Sequence, residues 1–318
     1  MISKRKKICI IYCGALDSMK KDSLVSWHEE MTELNIIADT EIKYFYSSPT
    51  SNIAPRDWEK LASTISNEYE KFDGFVVLHG PDSILYTASA ISFLLQNLGK
   101  PIVFTCGYSQ EKPAKTFFSG FGEISIKANL INAVQVSTLG IQEVTLVYGN
   151  KIFRANRSKI DPEANNLNIF YAEQKAILGK IDFSIRVYSQ YLWKAKPSSR
   201  SYPELEYSVM ALPYTPCGDI ATLAKSLRHY KGVIIDFGNL HNIPEKAEKL
   251  IQRLHQSTVI AVRSRIPIYF VGYKSAIINV SNMTPETALT KFMWALKAAK
   301  NKKDVKKLMD SNIAGEFV

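Results

Sequence analysis

The sequence predicts an α/β protein with a largely parallel sheet and two domains. Apolar runs rich in β-branched residues alternate with amphipathic stretches along the 318 residues, which is typical of parallel strands joined by helices. This length is sufficient for two cores of ordinary size. With 46% hydrophobic and 22% charged residues, the composition favours a soluble globular chain over a disordered or membrane-embedded one.

The apolar runs of the first half are assigned to strands and the amphipathic stretches to helices. The predicted strands are Ile8 to Tyr12, Ile42 to Tyr46, Phe75 to Leu78, Ile102 to Thr105 and Val144 to Tyr148. The predicted helices are Trp58 to Lys71, Ser83 to Leu98 and Ile126 to Leu139.

The second half continues the same alternation. Its predicted strands are Val209 to Leu212, Val233 to Asp236, Val259 to Val262 and Ile268 to Val271, and its first helix is Pro244 to His255. The final helix has the clearest start, because Thr284 is a capping residue and Pro285 takes the first turn. Apolar residues then recur at i, i+3, i+4 and i+7, which indicates core packing rather than a ligand site. They are Leu289, Phe292, Met293 and Leu296.

A segment rich in proline, serine and charge, Lys194 to Pro203, separates the two halves and predicts a linker. The expected organisation is an N-terminal domain of residues 1–193, a linker of residues 194–205 and a C-terminal domain of residues 206–318.

Four cysteines, Cys9, Cys13, Cys106 and Cys217, show no repeated pair spacing. Cys9 and Cys13 are too far apart along an extended strand to form a disulfide. The pattern contains no metal cluster, so no metal and no other cofactor is expected. Free thiols fit a reducing cytosol.

The N-terminus imitates a short secretory signal, because the basic residues Lys4 to Lys7 precede the apolar run Ile8 to Leu16. No small-residue cleavage site follows, and cleavage would remove the first predicted strand. The expected location is therefore the cytoplasm, with no membrane partner.

The formal net charge of +10 and the pI near 9.2 raise nucleic acid or another acidic surface as a partner. Much of the excess lies in Lys4 to Lys7 and in the lysines between Lys297 and Lys307. Lysines near a helix C-terminus are also favoured by the helix dipole, and no nucleic-acid-binding motif accompanies them. A solvated surface is therefore preferred over a nucleic-acid site.

The segment from Gly74 to Leu85 reads Gly-Phe-Val-Val-Leu-His-Gly-Pro-Asp-Ser-Ile-Leu. It resembles the second signature of the bacterial-type L-asparaginase (glutaminase-asparaginase) family, in which a glycine and apolar residues precede His-Gly-Thr-Asp-Thr. Pro81 stands at the first threonine of that signature and Asp82 at its aspartate. Proline has no hydroxyl and no backbone N–H, and its φ is fixed.

Further matches to this family extend over nearly all of the chain. Ile10 to Leu16 takes the place of its first strand and Thr-Gly-Gly-Thr, so that the nucleophilic threonine falls on Leu16. The other matches are Asn129 to Ala133, Phe153 to Lys159, Asn282 to Lys291 and the pair Gly315-Glu316. The resemblance implies an asparaginase-like two-domain fold, with a larger N-terminal mixed or parallel sheet domain and a smaller C-terminal parallel-sheet domain. It also implies a homodimer or homotetramer.

The activity that the resemblance implies is hydrolysis of L-asparagine to L-aspartate and ammonia, with two threonines, an aspartate and a lysine as catalytic groups. Asp82 and Lys159 match the last two, although Ile160 takes the lysine position unless one residue is deleted. Leu16 and Pro81 can neither attack a carbonyl nor relay a proton. Loss of a nucleophile costs about a million-fold in rate, or roughly 8 kcal/mol.

Three nearby residues are possible substitutes for the missing hydroxyls: Cys13, Ser18 and Ser83. A thiolate needs a neighbouring base or cation, and no histidine is adjacent in sequence. These residues are interpreted as ordinary strand-end or helix-capping residues.

The resemblance also implies a substrate site. Thr50 and Ser51 fall in the loop with which the family holds the α-carboxylate, and Asp82 matches the acid that takes the ammonium. A helix starting at Ser83 directs amide donors at an anion. A retained site would hold a small amino acid: asparagine, aspartate or glutamine. The alternative is a filled cleft without function.

The second half departs from the family pattern in a region that, in the family, faces the active site of the neighbouring subunit. The turn Gly238 to Pro244 lacks two of the family's glycines, and Val262 to Arg265 replaces its Thr-Ser/Thr-Gln-Cys stretch. An altered dimer contact is expected. The histidines in motif positions, His79 and His241, are interpreted as structural hydrogen-bonding residues.

Three hypotheses follow. The first is a catalytically degenerate asparaginase-family protein that acts by binding or assembly. The second is an active asparaginase or amidohydrolase with rearranged catalytic groups. The third is a basic subunit of a tRNA-dependent amidotransferase-like complex, which rests on charge and on kinship alone.

Overall fold

The computed structural model describes residues 5–14, 21–46, 49–107, 121–161, 163, 169–194, 204–216, 219–255, 257–265 and 277–317. The chain divides into two compact units, Met1–Tyr202 with Val318 and Pro203–Phe317. Most of the predicted linker, residues 195–203, lies outside the described part of the chain.

The first unit carries the larger set of strands and helices. Its strands are β1 (Lys7–Cys13), β2 (Asp39–Tyr46), β3 (Gly74–His79), β4 (Ile102–Thr105), β5 (Val144–Tyr148), β6 (Lys151–Arg154), β7 (Lys159–Ile160), β8 (Phe170–Tyr171), β9 (Ile177–Ile181) and β10 (Ile185–Val187). Its helices are α1 (Lys21–Glu29), α2 (Leu34–Ile37), α3 (Pro55–Glu68), α4 (Ile84–Leu94) and α5 (Phe121–Ser137). Short 3-10 turns occur at Thr50–Asn52, Ala155–Arg157, Gln174–Ala176 and Ser189–Tyr191.

Eight of these described strands form one mixed sheet in the order β10-β9-β6-β5-β4-β3-β1-β2. Neighbouring strands are parallel along the part of the sheet that runs β2-β1-β3-β4-β5. They are antiparallel along the part that runs β5-β6-β9-β10. In β3, β4 and β5 every residue is buried, as expected for central parallel strands covered on both faces. The five strands predicted in this half are all present.

All six ends of the three helices predicted in the first unit differ from the prediction, by one to five residues. α3 begins at Pro55, and the Asp57 carboxylate accepts the Ala54 N–H at 3.1 Å, so the helix starts three residues before the predicted Trp58. α4 ends at Leu94 rather than Leu98, and Asn97 beyond it has a positive φ of 56°. α5 begins at residue 121, five residues earlier than predicted.

The second unit contains β11 (Val209–Pro213), α6 (Ile220–Leu227), β12 (Gly232–Asp236), α7 (Glu245–Leu254), β13 (Val259–Arg263), β14 (Ile277–Asn279), α8 (Pro285–Ala298) and α9 (Lys302–Asp310). Its described strands form a parallel sheet in the order β11-β12-β13-β14. The predicted strand Ile268 to Val271 lies outside the described residues. α8 begins as predicted, with Thr284 Oγ1 accepting the Thr287 N–H at 3.3 Å.

Candidate functional site

The predicted site segment that follows β1 leaves the sheet beside the predicted site segment that follows β3. Gly14, which follows β1, has a positive φ of 73° and forms an isolated bridge with His79, the last residue of β3. The two segments therefore leave the sheet side by side at the carboxyl ends of parallel strands. This is the edge at which α/β sheets bind ligands. Leu16 and Ser18 follow directly but lie outside the described residues.

The predicted substrate-binding loop that contains Thr50 and Ser51 packs directly against the turn after β3. A Cβ atom on Gly80 would lie 2.2 Å from Oγ1 of Thr50, so the close approach of Thr50 requires glycine at this position. The Ser83 hydroxyl donates a hydrogen bond to the Thr50 carbonyl oxygen. Two of the predicted binding residues, Thr50 and Ser83, are thus brought together.

The turn between β3 and α4 contains an acidic residue, Asp82, whose side chain is exposed to solvent. Asp82 is exposed and lies just before Ser83, the residue that precedes the first turn of α4. Among the described residues, no group hydrogen-bonds or pairs with its carboxylate. An acid here is favoured by the helix dipole and is also available to an ammonium group. Ser51 is exposed, whereas Pro81 is half-buried and Thr50 is buried.

His79 is a structural residue at the base of the turn. Its side chain is completely buried, and Nδ1 lies 2.8 Å from the Gly80 carbonyl oxygen, which fixes the proton on Nδ1. Nε2 lies 3.0 Å from the Thr87 hydroxyl. Burial lowers the pKa of His79 to about 4, so the imidazole is neutral at pH 7. Thr87 is a partner that the sequence did not reveal, although it sits eight residues after the histidine on the next helix.

Lys159 is the first residue of β7 and pairs with Tyr171 of β8. Its ammonium lies 6.0 Å from the centre of the Tyr171 ring, the outer limit of a cation–π contact. The preceding turn, Ala155–Arg157, packs against α4. No contact among the described residues joins Lys159 to Asp82, and the neighbouring Ile160 is exposed.

The thiols of the first unit are unsuited to nucleophilic attack. Cys9, Cys13 and Cys106 are fully buried. Burial raises the pKa of Cys9 to about 12 and also raises the pKa of Cys13 and of Cys106. The thiolate is the reactive form, so burial and the raised pKa argue against Cys13 as a substitute nucleophile. Cys217 lies outside the described residues.

The second unit fixes its own predicted turn through an ion pair. Arg263 Nη1 lies 2.6 Å from Oδ2 of Asp236, and Oδ1 of Asp236 accepts the Gly238 N–H at 2.9 Å. Gly238 has a positive φ of 58°, which explains the single glycine that this turn retains. His241 in the same turn is exposed. The sequence pattern identified the turn but not the Asp236–Arg263 pair.

Within the described ranges, no group of three or more histidine, cysteine, aspartate or glutamate side chains is placed to hold a metal ion. Among the same residues, no helix has the length and apolar character needed to cross a bilayer.

Comparison with known proteins decides the family. Residues 8–193, more than half of the chain, match the family model described as Asparaginase, N-terminal. The chain belongs to the asparaginase family. The structure is similar to the crystal structure of L-asparaginase I from Vibrio cholerae O1 biovar eltor, with a TM-score of 0.81, 25% identity and coverage of 99% of both chains. The predicted asparaginase-like α/β fold is therefore confirmed.

Two curated relatives of this asparaginase-family chain differ in their described roles. It is 28% identical over 292 residues to L-asparaginase 1 of Escherichia coli (strain K12), covering 84% of this chain and 81% of that protein. It is 27% identical over 313 residues to a glutamyl-tRNA(Gln) amidotransferase subunit of Pyrococcus abyssi, covering 90% of this chain and 68% of that protein.

Proposed function

We propose that this asparaginase-family protein has lost ordinary amide hydrolysis and acts by binding an amide or acidic amino acid, or through assembly. Pro81 carries the proposal, because it stands in the β3–α4 turn where the resemblance implies a catalytic threonine. Proline has no hydroxyl to relay a proton. Leu16, at the position of the nucleophile, is also aliphatic, so the first step of the family reaction has no attacking oxygen.

The β3–α4 turn keeps groups that can bind an amino acid, although the catalytic hydroxyl groups are missing. The exposed Asp82 carboxylate is available for an α-ammonium group, and the positive end of the helix dipole at the start of α4 favours a carboxylate. The exposed Ser51 adds a hydroxyl beside the Thr50–Gly80 contact. These groups support a weak amino-acid site without turnover.

The activity test is ammonia release from asparagine and from glutamine, with E. coli L-asparaginase 1 as the active reference. We expect turnover roughly a million-fold below the reference, the loss typical of a missing nucleophile. Ammonia release near the reference rate that disappears in Asp82→Ala would contradict the proposal.

The binding test is the melting temperature with aspartate, asparagine, glutamate and glutamine, because a ligand of the native state raises it. We expect a rise with at least one of them, abolished in Asp82→Asn. Asp39→Asn is the matched control, since Asp39 is also exposed but begins β2. If no amino acid changes the melting temperature, the binding part of the proposal is wrong and only an assembly role is left.

The rival function is an amidohydrolase with rearranged groups. Burial with a raised pKa argues against Cys13, and the hydrogen bond from Ser83 to the Thr50 carbonyl oxygen occupies the Ser83 hydroxyl proton. Ser18 is the remaining substitute named by the sequence. Ser18→Ala and Ser83→Ala variants in the ammonia assay test it, and a large loss of measurable turnover in either would favour the rival.

The third function, an RNA-associated subunit, is favoured by the charge of +10 and by the amidotransferase relative. The C-terminal lysines weaken it. Lys302 Nζ donates to the His255 carbonyl oxygen at 2.7 Å, and Lys306 Nζ donates to the Ile277 carbonyl oxygen at 3.3 Å. Retention on RNA that is lost as salt is raised would support this function, and no retention at physiological salt would remove it.

The proposal includes a cytoplasmic homodimer or homotetramer built from domains of residues 1–193 and 206–318. Sedimentation of the purified chain measures the assembly, and a monomer at micromolar concentration would contradict it. Limited proteolysis tests the boundary, with first cleavage expected in residues 194–205.

A further inference from the structure

A cavity of about 470 Å³ lies in the first unit at the β6–β9–β10 end of the sheet. Its walls come from β6, β9, the Gln174–Ala176 turn and the Ser189–Tyr191 turn. The volume is within the range of small-molecule sites in proteins, which is about 300–1,000 Å³. Basic, amide and tyrosine side chains line it together with Ile177 and Gly179, and none of the lining residues is acidic.

Two lysines face this cavity from adjacent strands. Lys151 of β6 is directly opposite Lys180 of β9, and Lys180 is in turn opposite Arg186 of β10. Residues in such register share a face of the sheet, and like charges placed opposite each other are destabilising. The sequence spacing did not predict this row of three basic residues, because Lys151 and Lys180 are about 30 residues apart and Lys180 and Arg186 are 6 apart.

Neither lysine forms a direct ion pair with an acid among the described residues. Asp182 is the acid of the β9–β10 turn, and it is bonded to Arg186. That hydrogen bond, with smaller help from Lys180, lowers the pKa of Asp182. The carboxylate thus neutralises the guanidinium, and the ammonium groups of Lys151 and Lys180 are left for another anion.

The cavity is held in shape by buried contacts. A Cβ on Gly179 would lie 2.5 Å from the Arg186 carbonyl oxygen, so β9 and β10 approach too closely for any other residue there. Arg154 and Glu143 form a buried ion pair at 2.6 Å. From that pair, Arg154 Nη2 donates to the Tyr191 carbonyl oxygen at 2.6 Å, which anchors the tyrosine wall.

We propose that this cavity binds a phosphate-bearing small molecule with an aromatic ring, such as a nucleotide. Lys151 and Lys180 would meet the phosphate, with the Gln174 and Gln190 amides as further donors. Tyr188 and Tyr191 line the cavity as an edge-to-face pair, at 81° with ring centres 6.3 Å apart, and would contact the ring of the ligand. The site is separate from the Asp82 turn and does not depend on the proposed function.

Isothermal titration with AMP, inorganic phosphate and adenosine tests the proposal. We expect AMP to bind the full chain, to bind more weakly as salt rises, and to lose at least tenfold in affinity in Lys151→Gln/Lys180→Gln. Phosphate alone should bind more weakly than AMP, and adenosine should not bind. Lys60→Gln/Lys71→Gln is the matched control, because it removes the same charge from exposed lysines of the same unit and should leave affinity unchanged.

Three results would overturn the site: no AMP binding at millimolar concentration, equal affinity in the Lys151/Lys180 and control variants, or adenosine binding as tight as AMP. The melting temperature of the free protein is a second readout. Relief of the lysine repulsion should raise it by about 1–2 °C in Lys151→Gln/Lys180→Gln. A fall instead would mean that the lysines already have partners, and it would also count against the site.

Discussion

The ammonium of Lys291 lies 2.6 Å from Oε1 of Glu316, and both side chains are completely buried in the second unit. Lys291 Nζ also donates to the Met309 carbonyl oxygen at 2.9 Å and to the Ser311 carbonyl oxygen at 2.5 Å. The Glu316 carboxylate accepts backbone N–H groups, including that of Ala314 at 2.7 Å. The pair ties α8 to the last residues of the chain.

Breaking this pair should be strongly destabilising, because the surviving partner would be a buried charge without a counter-ion. We expect Lys291→Met or Glu316→Gln to lower the free energy of unfolding by about 3–5 kcal/mol, measured by urea denaturation of the full chain. The control is Lys249→Met, which breaks the exposed Glu245–Lys249 pair and should cost below about 1 kcal/mol. Equal losses in the buried and exposed variants would contradict the prediction.

The stability of the first unit should depend on pH through His79. Its pKa is about 4 in the folded chain against an ordinary value of 6.5, so between these values only the unfolded state takes up the proton. The contribution of the buried neutral imidazole is complete above pH 6.5 and is lost as pH falls through 4. We expect the stability difference between wild type and His79→Gln to shrink by up to about 3 kcal/mol from pH 7 to pH 4.

Urea denaturation at several pH values measures this change. His241→Gln, which replaces an exposed histidine, is measured in parallel as the control. A constant difference for His79→Gln across the same range would show that the folded and unfolded pKa values are alike.

The contact between Gly80 and Thr50 makes a third prediction. Gly80→Ala would place a Cβ 2.2 Å from Thr50 Oγ1, so we expect a loss of about 1–3 kcal/mol in stability. Thr50→Ala removes the clashing atom, and the double variant should be more stable than the sum of the single losses by at least about 0.5 kcal/mol. Gly99→Ala is the control, since its nearest neighbour is at an ordinary 3.7 Å. Simple additivity would argue against the contact.

Native cysteine labelling makes a fourth prediction. Cys13 is buried with a raised pKa, so iodoacetamide at pH 8 should modify it only after the chain is unfolded in urea. Peptide mass spectrometry identifies the modified residue, and Cys9 and Cys106 should behave in the same way. Rapid labelling of Cys13 in the folded chain would restore it as a candidate nucleophile.

The central strands β3 and β4 were found because burial on both faces leaves uninterrupted apolar runs. β6 and β9 were missed because charged residues break their apolar pattern: Lys151 and Arg154 stand at the two ends of β6, and Lys180 lies inside β9. Their pairing depends on contacts distant in sequence. The start of α8 was predictable, since its cap and first-turn proline are local signals.

The site was predictable in part. Thr50, Asp82 and Ser83 were named through the family resemblance, and the structure brings Thr50 and Ser83 into contact. The role of Gly80 could not be read from the sequence, because it depends on a residue 30 positions away in the chain. The place of Lys159 relative to Asp82 depends on the course of β6 and its following turn, which the residue pattern does not determine.

α4 is buried along nearly its whole length, yet the acid just before it is open to solvent. Replacement of Asp82 should therefore disturb folding very little, whereas replacement of His79 or Gly80 beneath it should disturb folding considerably. The charge at the surface of this turn can therefore change during evolution, and with it the ligand that the turn prefers, while the fold is kept.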